Sequence, residues 1–304
     1  MIPQREIAPG VAVSAIGFGG YHLGIIPDES EAIRLLRTAI DAGITFLDNA
    51  WEYNRHVSEE RMGKALAAGG KRDDVFLMTK VCTHGRGADV AMRQLEESLT
   101  RLRTDHLDLW QIHEVVYDDD PARHYGKGGA VEALEKAKRE GKVRFVGFTG
   151  HKRPMIHREM IERGFPFDTV QMPLNVLDPN FRSFEKHVLP LALERGIHAL
   201  GMKPFAEGRM LEDGVDADDA LRYAMSLPVL TTITGIDSQA VLDHHLRIAN
   251  DFRPLDRAGM QQLRDKYAHR AADGHLELYK TSMKNDADEG RAQHGFPPMT
   301  EMAM

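Results

Sequence analysis

The chain has 304 residues, 42% of them hydrophobic, enough to bury one large core and typical of an eight-unit α/β barrel. A net charge of −7, with 39 Lys and Arg spread along the chain, argues against a nucleic-acid footprint or a polybasic membrane patch. The single cysteine, Cys82, leaves no internal disulfide and no cysteine-only metal site, as in a reducing compartment. MIPQREIAPG lacks a signal-peptide layout and no apolar run reaches membrane-span length, so a soluble, cytoplasmic protein is expected.

Residues 1–12 are expected to close a barrel floor as a short hairpin or coil. After them, short apolar runs alternate with amphipathic ones. The candidate strands are VSAIGFG (13–19), TFLDN (45–49), VFLMTK (75–80), LDLWQIH (107–113), VRFVGFT (143–149), DTVQM (168–172), IHALGMK (197–203) and LTTITG (230–235). The spacing predicts helices near 30–42, 58–68, 88–103, 130–140, 154–163, 182–195, 217–226 and 238–250. In 88–103, Met92, Leu95, Leu99 and Leu102 recur at three- and four-residue spacing, with Arg93, Glu96, Glu97 and Arg101 on the other faces. Gly43, Gly141, Gly164 and Gly196 stand where helix ends favour a left-handed residue.

Eight strand–helix units in strict alternation imply a parallel sheet, and eight strands close a barrel. No linker or shift of composition divides the units. The expected architecture is a single (β/α)8 domain over 1–304, its core at about 13–250 and a C-terminal extension at about 251–304. Within the extension, 255–271 reads as a helix and 272–304 as a polar tail.

In such a barrel, chemistry sits at the C-terminal ends of the strands. Asp48 ends the second strand, with Tyr53 in the loop behind it; Lys80 ends the third and His113 the fourth. A phenol keeps its proton at neutral pH, and a neighbouring ammonium is expected to lower its pKa so that the proton is released on demand. The aspartate holds the lysine, and the imidazole offers an N–H to a substrate oxygen. This set suits protonation of a carbonyl oxygen while a hydride reaches its carbon, and needs no metal. Singly, each residue has an ordinary reading: a capping aspartate, a packed tyrosine, a snorkelling lysine, a core histidine. Four together on consecutive strands favour a site.

Over about residues 5–250 the sequence resembles the aldo-keto reductase superfamily, through GITFLDNAWEYNRHVSEERMGKAL (43–66), VFLMTK (75–80), DHLDLWQIH (105–113) and GFTG (147–150). The resemblance implies a catalytic tetrad of Asp48, Tyr53, Lys80 and His113. It also implies a nicotinamide cofactor, NADP or NAD, lying across the mouth, and a small carbonyl or alcohol substrate. The implied cofactor contacts are Gly20, Tyr21, Asp48, Thr149, Gly150, Gln171, Lys203, Gly208, Arg209, Gly235, Asp237, Ser238, Gln239 and His245, with Asn175 nearby. The family's Ser-Asn pair after strand five is Thr149-Gly150 here, which makes His151 the candidate substitute for the missing amide. Ser238 serves equally well as a helix N-cap.

Residues 235–245 hold no Lys or Arg and place Asp237 near the expected 2′-phosphate, so NADH is expected to serve at least comparably to NADPH. Arg209, and Lys280 and Lys284 of the tail, are the other candidate cations. Trp51, Tyr21, His22 and the loop 114–129 are expected to shape the substrate pocket.

Other readings fit less of the chain. GFGGYHLG (17–24) fails the dinucleotide fingerprint at His22. His22, His84, His113 and His151 follow strands, yet no His-x-His pair of a metal hydrolase occurs, and His244–His245 falls on a predicted helix. A glycosidase pairing Glu114 with Asp48 leaves Tyr53 and Lys80 unexplained. A non-catalytic cofactor-binding sensor or subunit needs no proton donor. Nothing in the sequence signals an oligomeric state.

Overall fold

The computed structural model describes residues 1–82, 86–282, 291–292 and 295–301. Strands β1 (Gln4–Ala8) and β2 (Val11–Ser14) pair as an antiparallel hairpin. The next eight strands, β3 (Ile16–Gly19), β4 (Phe46–Asp48), β5 (Phe76–Val81), β6 (Leu107–Ile112), β7 (Val143–Thr149), β8 (Thr169–Pro173), β9 (His198–Met202) and β10 (Thr231–Gly235), form a closed barrel. Every neighbouring pair is parallel, β10 closing on β3. The expected (β/α)8 barrel is the observed fold.

Two predicted elements are divided, each for a local reason. The run 13–19 breaks at Ala15, whose N–H bonds Pro3 O at 2.8 Å. Ser14 makes the corner: its hydroxyl donates to Ile16 O at 2.6 Å and accepts from Thr45 N at 2.9 Å. Val11–Ser14 therefore belongs to the hairpin. The predicted helix 182–195 is two short ones, Phe184–His187 and Leu189–Glu194. Pro190, without an N–H, cannot continue the first ladder.

The barrel interior is filled by Phe46, Phe76, Met78, Leu109, Leu200 and Ile233, with Ile7 and Val13 of the hairpin closing the floor. Phe76 stacks between Phe46 and Phe145, with centroids 5.3 and 5.9 Å away. Outside, the surrounding helices bury one stripe each; Ala88–Leu102 turns Leu95, Leu99 and Leu102 inward, while Met92 is only half-buried. Beyond β10, the helix Arg257–Tyr267 docks through Arg264 and Tyr267 on Tyr223 and Asp219. The chain then returns to the mouth. There Leu278–Thr281 forms a helical turn with Tyr279 and Lys280 fully buried, so this part of the expected polar tail is packed structure. No described helix is long and apolar enough to cross a membrane.

Phe76→Ala removes the centre of the inner stack, and a large-to-small change of this kind costs about 3–5 kcal/mol. Urea unfolding is expected to show that loss without a change of m-value; a loss below about 1 kcal/mol contradicts the packing assigned to Phe76.

Candidate active site

Asp48 ends β4 opposite Met78 of β5, and Lys80 lies two residues further along β5, on the same face as Met78. Register alone thus brings the carboxylate and the ammonium together. Lys80 Nζ ion-pairs with Asp48 Oδ1, donates to Asn49 O at 2.7 Å and lies 3.4 Å from Tyr53 Oη. Asp48 Oδ2 accepts from Gln171 Nε2 of β8 at 2.9 Å. Both charges are buried, which is tolerable because each is paired and hydrogen-bonded.

Tyr53 sits in a tight loop, its N–H on Ala50 O at 3.1 Å, followed by Asn54, Arg55 and His56 at φ 53, 55 and 74°. Its half-buried ring has Lys80 Nζ 4.9 Å from the centroid, with His113 and Tyr21 edge-on at 5.7 and 5.5 Å. Desolvation, followed by the charges of Asp48, Glu52 and Glu114, holds the phenol well above its ordinary pKa. The expectation that Lys80 would lower it is corrected. Desolvation is the largest cause, and the three carboxylates add to it.

His113 follows β6, its N–H on Val81 O at 3.2 Å, and its Nδ1 meets Glu52 Oε1. Glu114 takes φ 48°; its carboxylate lies 3.2 Å from His151 Nε2, and His151 Nδ1 meets Tyr279 O at 2.8 Å. The His151 ring is thus hydrogen-bonded at Nδ1, while Nε2 only approaches the Glu114 carboxylate. Thr149 O accepts from Val115 N at 2.7 Å. Beside it, a Cβ at Gly150 would stand 2.5 Å from both His157 Cε1 and Val115 O, so no side chain fits there.

Gly20 is equally confined, a Cβ falling 2.5 Å from Asp48 O, and Tyr21 is 50% exposed at the rim. Gln171 is buried, and its Oε1 has no partner. Asn175 Nδ2 donates to Lys203 O at 3.3 Å and to Tyr279 Oη at 3.0 Å. After β9, Lys203 pairs with Glu207 and lies over the Tyr279 ring, Ala206, Glu207 and Gly208 are left-handed, and Arg209 is exposed.

Gly235 packs against the His22 ring. Next to it Asp237 is exposed, Ser238 caps the helix Gln239–Asn250 and Gln239 donates to Asp243 at 2.8 Å. His245 is buried against Phe205, while His244 bonds Asp218. The structure therefore gathers Asp48, Tyr53, Lys80, His113, Gln171, Gly20 and Tyr21 at one mouth and sets Asp237, Ser238 and Gln239 at a helix start beyond β10.

Two expectations change. Trp51 is buried, donating to Glu97 of Ala88–Leu102 at 2.7 Å, so it packs under the loop instead of lining the pocket. Lys280 is buried in an ion-pair cluster with Asp178 and Glu277, at 2.7 and 2.9 Å, and is not available to a phosphate. His84 and Lys284 lie outside the described residues. Sequence reasoning missed Glu52, Met202 (whose Sδ is 3.7 Å from Gln171 Nε2) and the Glu277–Tyr279 pair. Of these, only Glu52 had a local signal, a carboxylate immediately before the tyrosine.

Among the described residues, no group of three or more His, Cys, Asp or Glu is placed to hold a metal ion. A shallow polar depression lined by Arg72, Arg103, Asp105 and Lys142 sits at the opposite end of the barrel and shares no residue with this mouth.

The profile of the aldo/keto reductase family matches residues 15–222. Aldo-keto reductase YhdN of Bacillus subtilis is 31% identical over 230 residues, 70% of this chain; that alignment spans 66% of the relative's own length, just under two thirds. An aldo-keto reductase of Bacillus halodurans, solved in its holo form, superposes with a TM-score of 0.74 at 26% identity, covering 91% of this chain and 100% of that one. One from Klebsiella pneumoniae, solved in complex with NADPH, gives 0.73 at 25% identity over 88% and 96%.

Burial pulls His157, behind Gly150, down to about 3 and His245 down to about 4, from an ordinary 6.5. Between those values and 6.5 the unfolded chain binds protons that the folded chain refuses, so stability falls as pH is lowered through that window. Urea unfolding at about pH 7 and about pH 4.5 is expected to show His157→Met losing less stability than wild type across the interval. Equal losses would remove His157 from the acid response.

Proposed function

Because the chain belongs to the aldo/keto reductase family, we propose that it is an NAD(P)H-dependent oxidoreductase that reversibly reduces small aldehydes or ketones to alcohols at this mouth. The observation that carries the reading is the placement of Lys80 Nζ between Asp48 and Tyr53 Oη, with His113 on the edge of the same phenol.

The residues fit a nicotinamide. Gln171 Oε1, buried and without a partner, is an acceptor suited to a carboxamide N–H, and the missing Cβ atoms of Gly20 and Gly150 leave backbone open to close approach. Thr149 would join Gln171 at the carboxamide end, Tyr21 at the ring, and Lys203, Gly208 and Arg209 at the pyrophosphate. Gly235, Asp237, Ser238 and Gln239 would meet the adenosine end, whereas His245, buried against Phe205, is withdrawn from it. The relative solved with NADPH supports a cofactor of this class. Once bound, it supplies hydride to the carbonyl carbon.

The chain's own groups handle the oxygen. Tyr53 O–H donates to the carbonyl oxygen and gives up its proton as negative charge develops there. Lys80, 3.4 Å away, stabilises the phenolate so formed, while Asp48 and Asn49 O hold the ammonium in place. His113 offers a ring N–H to the same oxygen and sets its direction. The raised pKa of Tyr53 keeps the donor loaded through neutral and mildly alkaline pH.

We further propose that NADH serves at least comparably to NADPH. Asp237 is exposed at the helix start, and Lys203 is committed to Glu207. A 2′-phosphate therefore meets a carboxylate where a cation would hold it.

Tyr53→Phe is expected to lower the reduction rate by about 10²–10⁴-fold with cofactor affinity nearly unchanged; wild-type turnover in that variant would remove Tyr53 from the mechanism. Reduction by wild type is expected to show no loss from phenol ionisation between about pH 6 and about pH 9, because a raised pKa retains the proton there. Asp237→Arg is expected to move preference toward NADPH in kcat/KM. A wild type that already prefers NADPH by more than about a hundredfold would place the phosphate's partner elsewhere.

A further inference from the structure

Glu52 stands immediately before Tyr53, yet its side chain turns toward the next functional strand. The carboxylate is 7% exposed and meets His113 Nδ1, whose own side chain is 5% exposed. The approach is an ion-pair contact and not an aligned hydrogen bond, and Glu52 Oε2 is buried without a partner. A buried carboxylate is costly unless a partner compensates it, and among the described residues the Glu52 carboxylate has no other hydrogen bond or ion pair. The neighbouring carboxylates are committed elsewhere: Asp48 to Lys80 and Gln171, Glu114 to His151. Nothing in the loop's own hydrogen bonding requires a carboxylate at position 52. The turn is closed by Ala50 O with Tyr53 N and by Glu52 O with Arg55 N, both main chain.

We propose that Glu52 is a positioning residue for the carbonyl reduction, its carboxylate engaging Nδ1 of His113 so that Nε2 is the ring nitrogen presented to the substrate oxygen. The proposal rests on the role of His113 given above. An imidazole can rotate and can carry its proton on either nitrogen, and the bond made at one nitrogen decides the state of the other. Held against the Glu52 carboxylate at Nδ1, the ring is pinned in one orientation. In the ion-paired state its second proton is on Nε2, where it donates to the carbonyl oxygen. The same carboxylate is, after desolvation and Asp48, one of the groups that raise the Tyr53 pKa.

The test compares Glu52→Leu, Glu52→Asp and His113→Gln with wild type, using 4-nitrobenzaldehyde as the probe carbonyl with NADPH and with NADH. Cofactor affinity is read by fluorescence and ring protonation by ¹⁵N NMR of His113. Glu52→Leu is expected to lower kcat by about 10–100-fold, with KM and cofactor Kd within about twofold, and Glu52→Asp to recover part of the loss. The His113 ring signals are expected to show proton density leaving Nδ1 in Glu52→Leu. Full kcat in Glu52→Leu beside an impaired His113→Gln overturns the role of Glu52 alone. Full kcat in His113→Gln overturns instead the reading of His113. If the probe is not turned over by wild type, the NMR comparison still decides: unchanged ring signals in Glu52→Leu refute the positioning contact.

Discussion

A lysine ammonium buried against an aspartate, at the ends of two adjacent strands, is the constraint on which the mouth of this barrel depends. Lys80 and Asp48 are both out of water, and charges so placed persist only with their remaining hydrogen-bonding capacity filled. Asn49 O takes one lysine proton, and Gln171 reaches across from β8 to take the second aspartate oxygen. That last bond spans the barrel. The ion pair is therefore satisfied only when β4, β5 and β8 belong to one closed sheet, and the geometry around Tyr53 follows from closure.

Closure also separates the molecule into a relaxed end and a strained one. The hairpin and the stacked Phe46, Phe76 and Phe145 fill the floor with apolar side chains. Of the nine non-glycine residues with positive φ among those described, all but Arg103 lie in loops that follow barrel strands. Each costs about 1–2 kcal/mol relative to an ordinary conformation, and the packed barrel beneath holds them there. The direction of Tyr53 and Glu52 is set by this rigid turn, and Glu52 in turn meets His113. The returning tail adds a wall: Tyr279 joins Asn175, Lys203 and His151, tying the loops after β7, β8 and β9 to one buried aromatic residue.

Much of this was legible in one dimension. Strand-length apolar runs, helical spacing such as Leu95, Leu99 and Leu102, and glycine stops are local properties, and they located the eight units. The position of polar residues at the ends of the apolar runs was enough to bring Asp48, Lys80 and His113 to one rim. Ser14 and Pro190 divided two predicted elements. Ser14 acts through Thr45 and Ala15 through Pro3, which are distant or outside the run, so the break had no periodic signature; the proline did, and its missing N–H was sufficient reason.

What the sequence by itself determined is the class of architecture and the residue types at the strand ends, because both depend on short-range periodicity and on the chirality of crossovers. What tertiary structure decided is everything that depends on distance across the barrel. Gly150 is glycine because His157 fills the space above it, and Trp51 is withdrawn because Glu97 accepts its indole N–H. Lys280 is consumed by Asp178, about a hundred residues away. Tyr53 holds its proton because packing desolvates its phenol and the carboxylates of Asp48, Glu52 and, from the loop after β6, Glu114 lie near it. Electrostatic and steric terms of this kind vary with separations of a few ångströms in a low-dielectric site, and no local pattern of residues encodes those separations.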